Sequence, residues 1–361
     1  MYLVWWVVFF VNLLLSAGIM LTYLSRSDRD NQSSRSKGVQ RFSTRTLVIV
    51  PVKGVDYELE KNLVSLKGQK YGQFELIAVV DDETDPAVEF LKNAGVKYTE
   101  SIEICTECSG KVRAIHSALV KYPDFDRYVV ADSDIRVEDS WLQNLLNPLS
   151  DPIVGVATTF PVFFPEGGFW SKLKTFWGLV GQSMMESRLT RFVWGGSMAF
   201  RKDLIDEDAL KLLSHAISDD IAILRIAKKK GLKVAYVPEA RPRIYSKDDF
   251  PTFMEWSNRQ TAFSIYSTNK TFAFGMIYYL VFIYLLISSI LLSVFVNLLF
   301  AVFLFPYLYN SVSSLKKVPV KVWYFLALTF ILPFVYVWNL MSGMTRKRVV
   351  WRGNRYSLSK K

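Results

Sequence analysis

The chain has 361 residues, 51% hydrophobic and 15% aromatic, with a formal net charge of +11. That length holds one sizeable soluble domain plus membrane segments. The basic residues bunch beside apolar runs rather than interleaving along a soluble groove, which favours a membrane surface and argues against nucleic acid. Two cysteines, Cys105 and Cys108, exclude a secreted disulfide scaffold. No second pair exists and His116 and His215 are distant in sequence, so the cysteines read as ordinary loop thiols.

Residues 1–25 form an apolar, uncharged segment long enough for an N-terminal transmembrane helix. Arg26, Arg29, Arg35, Lys37 and Arg41 follow within a basic polar linker, 26–43. The positive-inside rule places that linker in the cytoplasm and the N-terminus outside. Residues 44–250 carry globular patterning. Thr46 to Val52 reads as a buried strand, Glu60 to Leu66 as a helix and Phe74 to Val80 as a second strand. An acidic turn, Asp81 to Pro86, comes next. A helix over Ala87 to Ala94, a short strand at Val96 to Tyr98 and a helix over Lys111 to Lys121 lead to the strand Tyr128 to Ala131. Strands alternating with helices predict a mostly parallel sheet covered on both faces.

That last strand runs into Asp132-Ser133-Asp134-Ile135-Arg136-Val137. In a strand, residues i and i+2 share a side, so both carboxylates reach past the carboxyl end, where open α/β sheets hold ligands. Paired hard oxygens suit a divalent cation, and such a cation suits a diphosphate. The same spacing also occurs in solvated turns. A second acidic turn at the same sheet edge strengthens the functional reading. Ser218-Asp219-Asp220 opens a further helical run, Ile221 to Lys230, and reads equally well as an N-cap.

Within residues 163–190, Phe163, Phe164, Phe169, Trp170, Leu173, Phe176, Trp177 and Val180 are interspersed with Lys172 and Lys174, the composition of an interfacial helix or of a core helix. Residues 251–271 read as an interfacial segment. Residues 272–343 hold the C-terminal transmembrane helices, in apolar blocks from Phe272 to Tyr309 and from Val320 to Met341. Asn297 and Pro306 interrupt the first block, giving a long helix with a re-entrant end or a tight hairpin. The tail, 344–361, is basic and expected in the cytoplasm, which, with the middle domain also cytoplasmic, requires an even number of crossings between them.

The ordered set Val80 to Ala87, Asp132 to Val137 and Asp219-Asp220 resembles the inverting GT-A-fold glycosyltransferases, and is most similar to the ceramide glucosyltransferase branch. Lys111-Val112, Gly195 to Arg201 and Trp351 to Tyr356 match further elements of that branch, so the resemblance spans about Thr46 to Tyr356. It departs from the pattern where the family carries Gln/Arg-Xaa-Xaa-Arg-Trp. Here the stretch is Trp256-Ser257-Asn258-Arg259-Gln260, which keeps only Arg259. The segment from Cys105 to Gly110 also lacks the usual Asn-Pro.

The resemblance implies a GT-A domain with transmembrane helices at both ends. The implied reaction moves a hexose, glucose first, from a UDP-glucose-like donor to the hydroxyl of a lipid, with a divalent Mn2+ or Mg2+ ion as cofactor. It implies Asp220 as general base with Asp219 beside it. Asp134 and Asp132 are the implied metal ligands. Pro51, Asp82, Lys111, Asp132, Arg259, Trp351, Arg352 and Arg355 are the implied donor contacts, and Trp194, Gly195 and Trp256 line the acceptor side. Two rivals stand beside it. A processive polysaccharide synthase needs more spans and an intact Gln-Xaa-Xaa-Arg-Trp; a non-catalytic lipid-binding scaffold does not need all three acidic sites.

Overall fold

The computed structural model describes residues 2–24, 44–102, 108–187, 190–315, 317–352 and 354–358. The linker 26–43 lies outside them. Cys108 is disulfide-bonded, which corrects the reading of free thiols; Cys105, the chain's other cysteine, lies outside the described residues.

The core is a seven-stranded sheet. Its strands are β1 (Thr46–Pro51), β2 (Phe74–Val80), β3 (Lys97–Glu100), β4 (Arg127–Ala131), β6 (Val154–Thr158), β8 (Ser197–Arg201) and β9 (Lys233–Tyr236), in the order β3-β2-β1-β4-β8-β6-β9. β1 pairs in parallel with β2 and β4, β2 with β3, and β6 with β9. Only β8 runs against its neighbours, β4 and β6. β1 is apolar on both sides because both sides are covered. Val48 and Val50 join one core cluster with Leu63, Leu91 and Trp141. Leu47 and Ile49 join the other with Ile115, Leu213 and Ile223. The helices α2 (Leu59–Lys67), α3 (Ala87–Asn93) and α5 (Trp141–Leu146) cover the first face. Opposite them lie α4 (Gly110–Lys121), α7 (Glu207–Leu213) and α8 (Asp219–Lys229).

A small second sheet joins β5 (Ile135–Arg136), β10 (Arg243–Ser246) and β7 (Val162–Pro165). The aromatic segment expected as one interfacial stretch therefore divides. Phe163 and Phe164 belong to β7, and α6 (Phe169–Glu186) starts only after Gly167-Gly168. Leu173 and Phe176 of α6 pack on Phe253 of α9 (Phe250–Ser267).

Among the described residues two helices are long and apolar enough to cross a membrane, within α1 (Tyr2–Leu24) and α10 (Asn269–Phe295). Ile19 and Tyr23 of α1 pack on Phe282, Leu285 and Leu286 of α10. After α10, Asn297 accepts a hydrogen bond from the Leu299 amide at 2.9 Å and starts a 3₁₀ stretch, Leu298–Leu304. That stretch leads into α11 (Phe305–Leu315). This segment doubles back: the Tyr307 ring lies 4.0 Å from that of Phe282, and Tyr309 lies near Tyr23. By Lys317 the chain has returned to the catalytic domain, 2.9 Å from Glu186. The last helix, α12 (Val322–Thr345), packs on α9, α10 and α6, and Arg346 beyond it pairs with Glu255 at 2.9 Å. A hairpin, β11 (Arg348–Trp351) and β12 (Asn354–Ser357), ends the described chain.

Candidate active site

The chain order β1, β2, β3 runs outward from β1, whereas β4 lies on its other side. The crevice between the carboxyl ends of β1 and β4 is therefore a topological switch point, the usual ligand position in such sheets. Pro51 and the loop after it stand on one side, Asp132 on the other. Because β8 is antiparallel to β4, its first residue meets β4's last, Ala131 opposite Ser197. That brings Trp194-Gly195-Gly196 to the same edge, where the Asp132 amide donates to the Gly196 carbonyl at 3.0 Å. The N-terminus of α8 delivers Asp219 and Asp220 there.

Lys111, in the first turn of α4, binds these elements together. Its Nζ lies 2.6 Å from Asp132 Oδ1 and 3.2 Å from Asp219 Oδ2, the latter within ion-pair reach though not aligned as a hydrogen bond. Burial alone would lower its pKa; Asp132 and Asp219 outweigh burial and raise it, so the amine stays charged. Burial pushes Asp219 up to about 6 against the pull of Lys111, with Asp220 and Asp132 adding to the rise. Gly195 backs this carboxylate: a Cβ there would stand 2.3 Å from Asp219 Oδ2. Asp220 is half-buried, and its Oδ1 accepts from the Ser218 hydroxyl and from the Ile221 amide at 2.7 Å.

Asp134 points inward. Its Oδ1 is buried without a hydrogen-bond partner. Burial, then the Asp132 and Asp56 carboxylates, push it up to about 7. An orphaned buried carboxylate oxygen beside a second carboxylate fits a hard divalent cation, whose binding would remove both the desolvation cost and the repulsion. Among the described residues no group of three or more His, Cys, Asp or Glu converges to cage a metal. The remaining ligands would come from a diphosphate and water, as is usual for such ions.

Other expected residues divide. Arg259 on α9 lies within electrostatic reach of Asp134 and Arg352; burial, opposed by Glu255, lowers its pKa. The C-terminal hairpin folds onto the crevice. Arg352 pairs with Asp56 at 2.5 Å, and the Tyr356 hydroxyl accepts from the Gly110 amide at 3.2 Å. Arg355 is exposed, on the opposite hairpin face from Tyr356. The Trp351 side chain lies outside the described residues. Asp82 is exposed and turned into its own loop, accepting from the Thr84 amide at 2.8 Å. Its neighbour Asp81 instead meets Lys53 at 2.8 Å and Arg113 at 2.7 Å, and these outweigh burial to lower its pKa. Trp256 and Trp194 belong to one aromatic wall. Trp256 packs on Phe163 and Trp177, with Lys174 over its ring at 4.8 Å, and Trp194 packs on Phe160.

Sequence reading missed Asp56, Asp81, Arg113 and the buried pair Lys174–Asp248, 2.9 Å apart. For Asp56 a signal was available: Lys53-Gly54-Val55-Asp56 follows β1 and so faces the same edge as the two acidic turns. Asp81 stood in the acidic turn after β2, where the resemblance pointed to its neighbour Asp82; Arg113 and the Lys174–Asp248 pair had no such signal.

The sequence profile of glycosyl transferase family 21 matches residues 7–361. The chain belongs to glycosyl transferase family 21. This family 21 chain is a nucleotide-sugar-dependent glycosyltransferase with a GT-A-like fold. Among solved structures it is similar to the mannosyltransferase PcManGT from Pyrobaculum calidifontis, solved in complex with GDP-Man and Mn2+. The identity is 16%, the TM-score 0.51, and the match covers 92% of this chain and 96% of that one. A glucosyl-3-phosphoglycerate synthase from Mycobacterium tuberculosis, solved with Mg2+ and uridine-diphosphate, is 13% identical with a TM-score of 0.41. That match covers 65% of this chain and 81% of the synthase.

Proposed function

We propose that this glycosyltransferase moves a hexose, glucose first, from a UDP-sugar to the hydroxyl of a lipid at the membrane surface, with inversion. The observation that carries the reading is the meeting of Asp134, Asp132, Lys111 and Asp219-Asp220 at the β1/β4 edge, beside an aromatic wall continuous with helices that pack on the membrane segment. The Mn2+ complex of the archaeal mannosyltransferase supports a divalent ion here, held by Asp134 and Asp132. Such an ion neutralises the diphosphate as negative charge builds on it. Lys111 keeps Asp132 and Asp219 in place and adds positive charge at the site. Arg259 and Arg352 are the arginines suited to phosphate oxygens. Asp220, fixed through Oδ1 by Ser218 and the Ile221 amide, takes the acceptor's hydroxyl proton on the face opposite the leaving group. Asp219 acts as counter-ion to Lys111 rather than as base. The aromatic wall at Trp194 and Trp256 receives the acceptor and keeps water out, so that transfer outruns hydrolysis.

The topology we propose has the N-terminus outside and the catalytic domain and tail in the cytoplasm. Residues 298–315 measure roughly 30 Å by their helical rise, the thickness of a bilayer's hydrocarbon core. Outward passage by α10 and return by this segment satisfy the even count. The α12 helix then lies along the interface against α6, α9 and the start of α10, since Lys317 before it reaches Glu186 of the globular domain and Arg346 after it reaches Glu255 of α9.

The test is lipid mass spectrometry on membranes containing the full-length protein, supplied in turn with UDP-glucose, UDP-galactose, UDP-N-acetylglucosamine and GDP-mannose. A new lipid carrying one hexose from UDP-glucose supports the reading. Growing polysaccharide, or no sugar transferred to lipid from any donor, sinks it.

A further inference from the structure

The loop after β1 is pinned from several sides. Both Asp85 carboxylate oxygens lie 3.0 Å from the Gly54 amide, and the Tyr57 hydroxyl donates to Glu166 at 2.6 Å. Glu58 pairs with Arg136, and Asp56 with Arg352. Among the described residues the non-glycine positions with left-handed backbone are Glu58 and Arg352, at φ 51° and 50°. Each such residue costs on the order of 1 kcal/mol or more and persists only where its surroundings over-determine it. One lies on each side of the Asp56–Arg352 contact.

The two oxygens of Asp56 do different things. Oδ1 takes the Arg352 guanidinium, whose other nitrogen donates to the Lys53 carbonyl. Oδ2 accepts from the hydroxyl of Ser133 at 2.5 Å. Ser133 stands between Asp132 and Asp134, and its carbonyl accepts from Asn62 at 3.2 Å. Asp56 thus joins the C-terminal hairpin to the acidic motif through one carboxylate, 12% exposed. The Arg352 charge also acts on Asp134. Asp56 and the Lys53 carbonyl together fix where the Arg352 guanidinium stands at the edge of the crevice.

We propose that Asp56 is a positioning residue for the donor: it fixes Arg352 beside the acidic motif and presents it to the diphosphate, making the C-terminal hairpin part of the donor site. This rests on the reading of Arg352 as a donor contact.

The experiment uses the full-length protein in detergent with Mn2+. It measures UDP affinity by calorimetry and UDP-glucose KM and kcat in lipid-containing membranes. Asp56→Asn and Arg352→Ala should each weaken UDP binding and raise donor KM about 10-fold, the double variant no more than either alone, because coupled partners are non-additive. The kcat should stay within about threefold, as expected when binding common to ground and transition states is lost. Asp56→Glu, which keeps the charge, should restore most of the affinity. Multiplying effects in the double variant overturn the proposal, as does normal UDP affinity in Asp56→Asn when Arg352→Ala is weakened. Normal affinity in Arg352→Ala instead overturns the underlying donor-contact reading. Should Asp56→Asn not fold, Asp56→Ser in the Arg352→Ala background should match Arg352→Ala alone; further weakening there overturns the coupling.

Discussion

Gly195 offers a sharp perturbation because one methyl group added there meets one functional atom. A Cβ at this position would lie 2.3 Å from Asp219 Oδ2 and 2.9 Å from its Cγ. Asp219 is buried at the first turn of α8 and cannot swing into solvent. In Gly195→Ala the carboxylate must retreat by roughly 1 Å, a displacement that in a reacting centre costs about 10²-fold in rate. The Asp219–Lys111 pair stretches, and Lys111, which also holds Asp132, moves with it. Overpacking adds a stability loss of about 1–3 kcal/mol. The assay is the initial rate of sugar transfer at saturating donor and metal, alongside the thermal midpoint in detergent. We expect kcat to fall about 10²-fold with the protein still monodisperse, as the geometry is displaced rather than the fold abolished. Gly18→Ala, in α1 with nothing within 4 Å of the added carbon, is the control and should be silent. Near-normal kcat in Gly195→Ala would refute the reasoning that Asp219 and Lys111 form a fixed unit.

Four further outcomes are expected. Chelation should abolish transfer and Mn2+ or Mg2+ should restore it; full activity in excess chelator removes Asp134 from its proposed role. Asp220→Asn should lower kcat by about 10²–10⁴-fold, the usual contribution of a positioned base, with UDP affinity kept; if Asp219→Asn is dead and Asp220→Asn active, the base is Asp219. In sealed vesicles, Asn297→Cys should label from the outer face, and Lys321→Cys and Ser357→Cys only after the cytoplasmic face is opened; outer labelling of Lys321→Cys would return the second crossing to α12. Asn339→Leu should lower the thermal midpoint, because Trp177 Nε1 and Asn258 Oδ1, now 3.0 and 2.8 Å from the Asn339 amide, lose their partner. Each unpaired buried group costs about 1–3 kcal/mol; an unchanged midpoint would show that α12 is not anchored there.

Much of the sheet was legible because parallel strands covered on both faces read as continuous apolar runs. Thr46 to Val52, Phe74 to Val80 and Tyr128 to Ala131 all do so, and each ends where a strand of the sheet ends, within a residue. The reversal of β8 was not legible. Gly195 to Arg201 carries a recognisable motif, but strand direction depends on pairing with β4, more than sixty residues earlier in the chain. The course of 298–315 was hidden for a related reason. Its composition suits a span, a re-entrant stretch or a hairpin arm alike, and that it doubles back is seen only in the contacts of Tyr307 with Phe282 and of Lys317 with Glu186.

The site divides along the same line. Asp132 and Asp134 could be named from their place just past an apolar strand, but β4 stops at Ala131 and the two stand in the turn before β5, so the turn rather than the strand's period sets their directions. Lys111 and Asp219 could be named as candidates, yet not as partners. Their pairing needs α4 and α8 to lie on one face of the sheet, with β8 bringing Gly195 behind the carboxylate. Asp82 shows the opposite failure. Two adjacent aspartates follow β2, and the chain alone does not say which one turns inward. The structure has Asp81 between Lys53 and Arg113, while Asp82 closes a local turn with Thr84. Asp56 is the extreme case, because its partner Arg352 lies 296 residues away. The place of Asp56 just after β1 could flag it as a ligand-edge residue, but nothing local could name its partner. A pair of this kind, joining a terminal hairpin to the loop of the first strand, would make the proposed donor site dependent on the whole chain having folded.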